Sequence, residues 1–170
     1  MYDELPGWIK PKSTTINAHN LKLENNSHIK SRPSGKQSGR GLSGSLLIID
    51  EAAFIEHIDT IWAAVYPIIS TGGRAFVLST VNGIGNWYYD TWTRAEEGAN
   101  AFNPIQIGWQ DHPEYHRVEG FEWLYKEMEE RDPPVHIEEW EPTTRANISN
   151  KKRMQEYECE FLGNDNKNNE

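Results

Sequence analysis

Two short aliphatic runs stand in the first half of the chain. Residues 46–49, Leu-Leu-Ile-Ile, are too few for a helix and are typical of a β-strand that is covered on both faces. Residues 74–78, Arg-Ala-Phe-Val-Leu, predict a second buried strand. Between the runs, apolar residues recur at helical spacing, which predicts an amphipathic helix that ends at Pro67. These apolar residues are Phe54, Ile58, Ile61, Trp62 and Val65.

The rest of the chain continues this alternation of strands and helices. Residues 14–31 alternate apolar and polar positions around an Asn-Asn pair, which predicts a hairpin of short strands. The later pattern predicts a helix over residues 87–98, a third strand over 103–109, a surface helix over 119–131 and a last helix over about 148–161. This order predicts an α/β fold in which helices flank a parallel sheet.

Two adjacent carboxylates, Asp50 and Glu51, stand where the first strand ends. Ligands of open parallel sheets bind beyond the carboxyl ends of the strands. One acid at such a place can hold Mg²⁺, because hard cations take oxygen ligands, and its neighbour can orient and deprotonate a water molecule. The structural alternative is that both acids cap the helix that follows.

Polar side chains also follow the second strand, at Ser79, Thr80 and Asn82. Beside the carboxylates, these side chains are suited to sense a terminal phosphate. Ser and Thr at a strand end also cap local backbone, which is the structural alternative. The order and spacing of the two motifs favour the functional interpretation.

Charge is distributed unevenly along the 170 residues, whose net charge is −9. Residues 1–44 contain seven of the 17 Lys and Arg residues but three of the 26 acids. Lys30, Arg32, Lys36 and Arg40 fall in a Gly/Ser-rich stretch that is typical of a loop. This loop either contacts phosphates or is a solvated loop that happens to be basic.

Composition limits the class of protein. A hydrophobic content of 36% with seven tryptophans is enough for the core of one globular domain, or of a piece of a larger one. No apolar run approaches the roughly 20 residues of a membrane-spanning helix, so we expect no membrane association. The single cysteine, Cys159, indicates a reducing compartment. His112 and His116 have the spacing of a zinc pair, but the Pro between them favours a polar loop.

The motifs resemble those of the large terminase subunits of tailed bacteriophages, the ATP-driven motors that package DNA into proheads. The resemblance runs through almost the whole chain and is most specific in Ile-Ile-Asp-Glu-Ala-Ala-Phe-Ile and Leu-Ser-Thr-Val-Asn-Gly. It implies a RecA-like ASCE P-loop NTPase fold with ATP and Mg²⁺ as cofactors. It further implies Asp50 as the Mg²⁺ carboxylate and Glu51 as the catalytic base. Ser79, Thr80, Asn82 and Gly83 would form the coupling motif, and Arg40 falls where family members also carry an arginine, as a possible nucleotide or DNA contact.

The chain departs from the family in one important respect. A phosphate-binding loop, G-x-x-x-x-G-K-[ST], does not occur in it, since Gln37 follows the Gly-Lys pair of residues 35–36. We therefore expect residues 1–163 to be the C-terminal portion of an ATPase domain that is incomplete at its N-terminus, followed by a polar tail at 164–170, with the nuclease domain absent. On this interpretation the isolated chain binds ATP weakly or not at all, either as one product of a split gene or as a gene remnant.

The resemblance also implies partners and a location. These are double-stranded viral DNA, the portal protein, the small terminase subunit, and further copies of the chain or a complementing fragment. The location is the host cytoplasm, transiently at the prohead portal and not in the mature virion. Two alternatives remain open: a fragment of a helicase-type ATPase, which also has Asp-Glu-Ala after an aliphatic strand, and a non-catalytic assembly module.

Overall fold

The computed structural model describes residues 2–36 and 38–163. The predicted polar tail at 164–170 lies outside the described residues. The α/β class predicted from the sequence is confirmed, because a parallel pair of strands packs against helices. A separate antiparallel sheet precedes that pair.

The antiparallel sheet is a three-stranded meander near the N-terminus. Its strands are β1 (Ser13–Asn17), β2 (Asn20–Leu23) and β3 (His28–Lys30), in the order β1-β2-β3. The β2–β3 turn contains Asn26 in a left-handed conformation, which Asn tolerates better than most residues. The predicted hairpin is confirmed, and it has one strand more than expected.

The parallel sheet consists of β4 (Leu46–Ile49) and β5 (Arg74–Val77), with helix α1 (Ile58–Ser70) as the crossover. Leu46 pairs with Arg74 and Ile49 with Val77, so the two strands are in step along their whole length. The expectation that both faces are covered is wrong for the described residues. On the outer face Ile48 is 60% exposed and Phe76 55% exposed.

The inner face of the parallel pair forms the main core. Ile49 packs there with the first residues after β4 and with helix α2 (Trp87–Glu96), and Phe161 returns from the far end of the chain to join them. The buried members of this cluster are Ile49, Ala52, Ala53, Ile58 and Tyr88. Burial raises the pKa of the Tyr88 phenol. Each large side chain removed from water in this way stabilises the fold by about 1.5–3 kcal/mol.

Helix α1 continues past the residue that was predicted to end it. Pro67 lies inside the helix, which runs on to Ser70. Proline removes one backbone hydrogen bond, but burial of Ile68 against the core maintains the last turn. After the last helical residue, Ser70, and the C-cap Thr71, the Gly72 and Gly73 amides donate to the Ile69 and Ile68 carbonyls in a Schellman motif.

The C-terminal part contains three helices: α3 (Glu122–Glu129), α4 (Trp140–Asn147) and α5 (Asn150–Glu156). The surface helix predicted over 119–131 is confirmed as α3, which buries Leu124, Tyr125 and Met128 in a second core cluster with Ile137. Two other predictions are wrong. Residues 103–109 form no strand, and the helix expected over 148–161 is replaced by α5 alone, whose N-terminus is capped by the Ser149 hydroxyl.

The turn between α1 and β5 allows a test with a matched control. A Cβ on Gly73 would collide with the Ile68 backbone carbonyl, whereas a Cβ on Gly72 would meet open space and be strained only by its φ of 99°. We expect Gly72→Ala to lower the free energy of unfolding by about 1 kcal/mol. Gly73→Ala should lower it by about 2 kcal/mol or more, because the backbone itself must shift.

Urea unfolding followed by tryptophan fluorescence measures both values. Equal losses in the two variants would contradict the close approach of Gly73 to α1.

Candidate functional site at the ends of the parallel strands

The ends of β4 and β5 meet at one edge of the sheet. Beyond the last pair of the register, the Leu78 amide donates to the Ile49 carbonyl at 2.9 Å, and the Ala52 amide donates to the Leu78 carbonyl at 3.0 Å. The segment after β4 is therefore fixed to the segment after β5 by backbone bonds. As a result, the two motifs found in the sequence lie side by side.

Asp50 and Glu51 form an exposed turn at this edge, which we call the acidic turn. The Asp50 Oδ1 atom accepts a hydrogen bond from the Glu51 amide at 3.0 Å. Glu51 adopts a left-handed backbone conformation, with φ 53° and ψ 39°, and no side-chain cap joins it to the 3-10 turn Ala52–Phe54 that follows. For a residue with a Cβ this conformation costs about 1–2 kcal/mol. The hypothesis that the acids are simple helix caps is therefore not supported.

Residues 79–83, to which the resemblance assigns a coupling role and which we call the coupling segment, bond to the backbone of Ala53. The Ala53 amide donates to the Ser79 Oγ atom at 3.1 Å, and the Asn82 Nδ2 atom donates to the Ala53 carbonyl at 3.1 Å. Both polar groups of Ala53, which is 8% exposed, thus bond to side chains. Thr80 lies between these two residues, and its side chain makes no hydrogen bond within residues 2–36 and 38–163.

Asn86 extends this arrangement to helix α2. Its Nδ2 atom donates to the Asn82 carbonyl at 2.9 Å, and its Oδ1 atom accepts from the Tyr89 amide at 3.0 Å, which caps α2. Sequence reasoning missed Asn86, although an Asn directly before an aromatic helical pattern is a helix N-cap signal.

Gly83, the last residue of the coupling motif, contacts the far end of the chain. Its φ is 65°, and a Cβ there would lie 3.4 Å from the Leu162 carbonyl oxygen. A small polar cleft of about 90 Å³ opens beside Gly83, between the coupling segment and α5. Its lining residues are Asn82, Gly83, Lys151, Gln155, Glu160 and Leu162. The coupling segment therefore contacts both Ala53, which follows the two acids, and the C-terminal part.

The acids of the turn fit a magnesium ion that is shared with phosphates. Mg²⁺ is usually held by one or two carboxylates, several waters and substrate oxygens, not by an all-protein cage. Asp50 and Glu51 are both exposed and oxygen-rich, and neither carboxylate is paired with a cation in the described part of the chain. The same part contains no group of three or more His, Cys, Asp or Glu side chains arranged so that they could hold a metal ion.

Arg40 belongs to the basic loop that precedes β4. It is exposed in the basic loop, where the neighbouring Gly39 packs so closely on α1 that a Cβ would come within 2.5 Å of the Val65 side chain. An open cleft of about 470 Å³ runs along this loop and is lined by Arg32, Lys36 and Arg40 among others. No hydrogen bond or ion pair among the described residues joins Arg40 to Asp50 or Glu51. The cleft is basic, as a phosphate contact requires.

The histidines considered as a zinc pair belong to an aromatic cluster. The His112 ring stacks on Tyr115 at 4.3 Å, Tyr115 stacks on Trp140 at 4.4 Å, and His116 meets the edge of Trp109. The cluster joins the loop before α3 to α4 and α5. These contacts favour the structural interpretation of both histidines. Sequence reasoning missed the cluster, since Tyr115 and Trp140 lie 25 residues apart along the chain.

Comparison with known proteins identifies the family. The model of the N-terminal part of the T4-like-virus type of terminase large subunit matches residues 6–168. The chain belongs to this terminase family. The matched region includes both the acidic turn and the coupling segment.

A solved structure is also similar to this chain. It is the large terminase ATPase domain of Thermus phage P74-26, with 22% sequence identity and a TM-score of 0.49. The match covers 86% of this chain and 56% of that one, so this terminase chain spans little more than half the length of that structure. In the described residues no helix is long and apolar enough to cross a bilayer.

Metal binding at the acidic turn can be measured directly. With Mn²⁺ as a paramagnetic probe for Mg²⁺, we expect line broadening of the amide signals of residues 49–53, with an affinity on the order of millimolar because few ligands are fixed. Asp50→Asn should abolish most of this broadening. Asp59→Asn, which removes an exposed acid from the first turn of α1, is the matched control and should leave it unchanged.

Broadening that persists in Asp50→Asn and centres on other acids would show that the turn is not the metal site.

Proposed function

We propose that this terminase chain supplies the metal and water half of an ATP-hydrolysing site in a motor that packages viral double-stranded DNA. One observation carries the proposal: two exposed carboxylates sit at the end of a parallel strand, and Ser79 and Asn82, which follow the neighbouring strand, bond to the backbone of Ala53, two residues after Glu51. Family membership supports the same function.

The proposed chemistry divides between the two acids. Asp50 would hold Mg²⁺, directly or through water. When bound, Mg²⁺ neutralises charge on the phosphates during transfer. Glu51 would orient a water molecule toward the terminal phosphate and accept its proton. Its position at the outer edge of the sheet leaves its carboxylate free of internal hydrogen bonds within the described residues.

The loop that binds the nucleotide phosphates in the complete site would come from outside these 170 residues, since their sequence contains no phosphate-binding loop. It would be provided by another segment or by a complementing chain, and the portal protein and the small terminase subunit would be further partners. Arg40 and the basic loop would contact nucleotide or DNA phosphates. The motor would act in the host cytoplasm, transiently at the prohead portal.

Hydrolysis by the reconstituted site tests the proposal. The chain is mixed with a terminase fragment that bears a G-x-x-x-x-G-K-[ST] loop, and Mg-ATP binding and phosphate release are measured by calorimetry and a coupled assay. We expect neither binding nor turnover with the chain alone and both with the mixture. Glu51→Gln should retain ATP binding and lower kcat by about 100-fold or more, because general-base catalysis contributes roughly 10²–10⁴-fold.

Asp59→Asn is again the control for a removed exposed acid, and its turnover should match that of the unmodified chain. A Glu51→Gln chain that loses binding and turnover equally would indicate a structural residue. No binding in the mixture would favour the alternative of a non-catalytic assembly module.

The Thr80→Ala variant tests whether the coupling segment links ATP hydrolysis to DNA translocation. Thr80 lies in the coupling segment but makes no hydrogen bond to the acidic turn in the described residues. In a complete packaging assay we therefore expect this change to lower DNA translocation more than ATP hydrolysis. A parallel loss of both activities would place Thr80 in the chemical step.

A further inference from the structure

The backbone of Ala53 is held in an unusual way. Its amide and its carbonyl both bond to side chains, and those side chains lie 26 and 29 residues further along the chain. A buried backbone group without a hydrogen-bond partner destabilises the fold. Each of these two bonds therefore satisfies a buried group of Ala53 that would otherwise be unpaired. Ser79 and Asn82 thus bond to the two peptide groups that flank the Cα atom of Ala53.

This grip restrains Glu51, which lies two residues before Ala53. The Glu51 carbonyl accepts from the Phe54 amide at 2.9 Å, and the intervening Ala52 is fixed to Leu78. A left-handed conformation at a residue with a Cβ persists only where its surroundings determine it. On the strand side the surroundings are the β4–β5 bonds, and on the far side they are the bonds of Ser79 and Asn82.

We propose that Ser79 and Asn82 are positioning residues for Glu51: by bonding to the two peptide groups that flank Ala53, they keep the Glu51 backbone left-handed and direct its carboxylate outward. The inference rests on the proposed role of Glu51 as the base. It divides the coupling motif in two, since Ser79 and Asn82 serve the chemical step through the backbone whereas Thr80 does not.

A rigid element supports the grip. The Asn82 carbonyl accepts from Asn86, and Asn86 caps α2 through Tyr89. Tyr88, the residue of α2 that precedes Tyr89, is buried in the main core together with Ala53. The position of Asn82 is therefore set by a helix and not by solvent-exposed loop contacts. A movement of α2 relative to β4 would change the position of the Ala53 backbone, and with it the position of Glu51.

The first test follows the backbone by NMR in the chain itself. We expect amide hydrogen exchange at Ala53 to become roughly tenfold faster in Ser79→Ala, because one hydrogen bond is lost. Ser79→Thr keeps the hydroxyl and should restore slow exchange. In the double variant Ser79→Ala/Asn82→Ala, the three-bond amide–Hα coupling and the carbon shifts of Glu51 should leave the values of a left-handed residue.

Matched controls remove similar hydrogen bonds elsewhere. Ser70→Ala deletes a hydroxyl that bonds to the Pro67 carbonyl, and Asn147→Ala deletes an amide donor to the Thr143 carbonyl. Thr80→Val removes the unbonded hydroxyl from the same segment. All three should leave the Glu51 coupling and shifts unchanged. Unchanged Glu51 signals in the double variant as well would overturn the proposal.

The second test measures turnover in the mixture with the loop-bearing fragment. Ser79→Ala and Asn82→Ala should lower kcat at least about tenfold with KM for ATP within about twofold, since positioning acts on the chemical step. Ser79→Thr should recover most of kcat. A rise in KM at constant kcat would overturn the positioning role.

The two proposals fail in different ways. If Glu51→Gln hydrolyses ATP normally, the role of Glu51 as base fails, whatever the NMR signals of the Ser79 and Asn82 variants show. If Glu51→Gln is inactive but the double variant keeps both its left-handed signals and its kcat, only the positioning role fails.

Discussion

The in-step parallel pairing of β4 and β5 is the constraint on which the candidate site depends. Four residues of each strand pair without a shift in register, so both strands end at the same level of the sheet. The Leu78–Ile49 and Ala52–Leu78 backbone bonds extend the pairing beyond the strands proper. If the register changed by one residue, every side chain of β4 would change face. Ile49 would then leave the core, and the acidic turn would lose its neighbours from β5.

This pairing also explains how a strained residue can persist at an exposed position. The conformation of Glu51 is unfavourable on its own, and solvent offers no compensation. The compensation comes from the buried alanines that follow. Ala52 and Ala53 are 1% and 8% exposed, and small side chains let the turn pack directly under α2. Larger residues there would move the turn away from Ser79 and Asn82. The apolar half of the Asp-Glu-Ala-Ala motif is thus as necessary to the geometry as its acids.

The sequence predicted what depends on local pattern. The aliphatic runs located β4 and β5, helical periodicity located α1, α2 and α3, and strand ends located Asp50, Glu51, Ser79 and Asn82. It failed where a tertiary partner decides the outcome. Residues 103–109 have the pattern of a strand, but Ile105 and Ile107 are each 67% exposed and pair with no strand in the described residues. The contacts of Ser79 and Asn82 with Ala53 were also beyond prediction, because 26 and 29 residues separate the partners.

Among the described residues, the hydrogen bonds that shape the acidic turn all come from residues 46–89. β4, β5, the coupling segment and the start of α2 fix the turn, and Arg40 and the basic loop take no part in the described contacts. The metal and water half of the proposed site can therefore be formed before any phosphate arrives. A preformed acidic turn loses little conformational entropy when the nucleotide binds. The affinity for nucleotide would therefore be set by the phosphate-binding loop, and the rate of hydrolysis by the acidic turn. Under this division, residues that hold the turn alter catalysis more than affinity, because the groups they position act in the transition state.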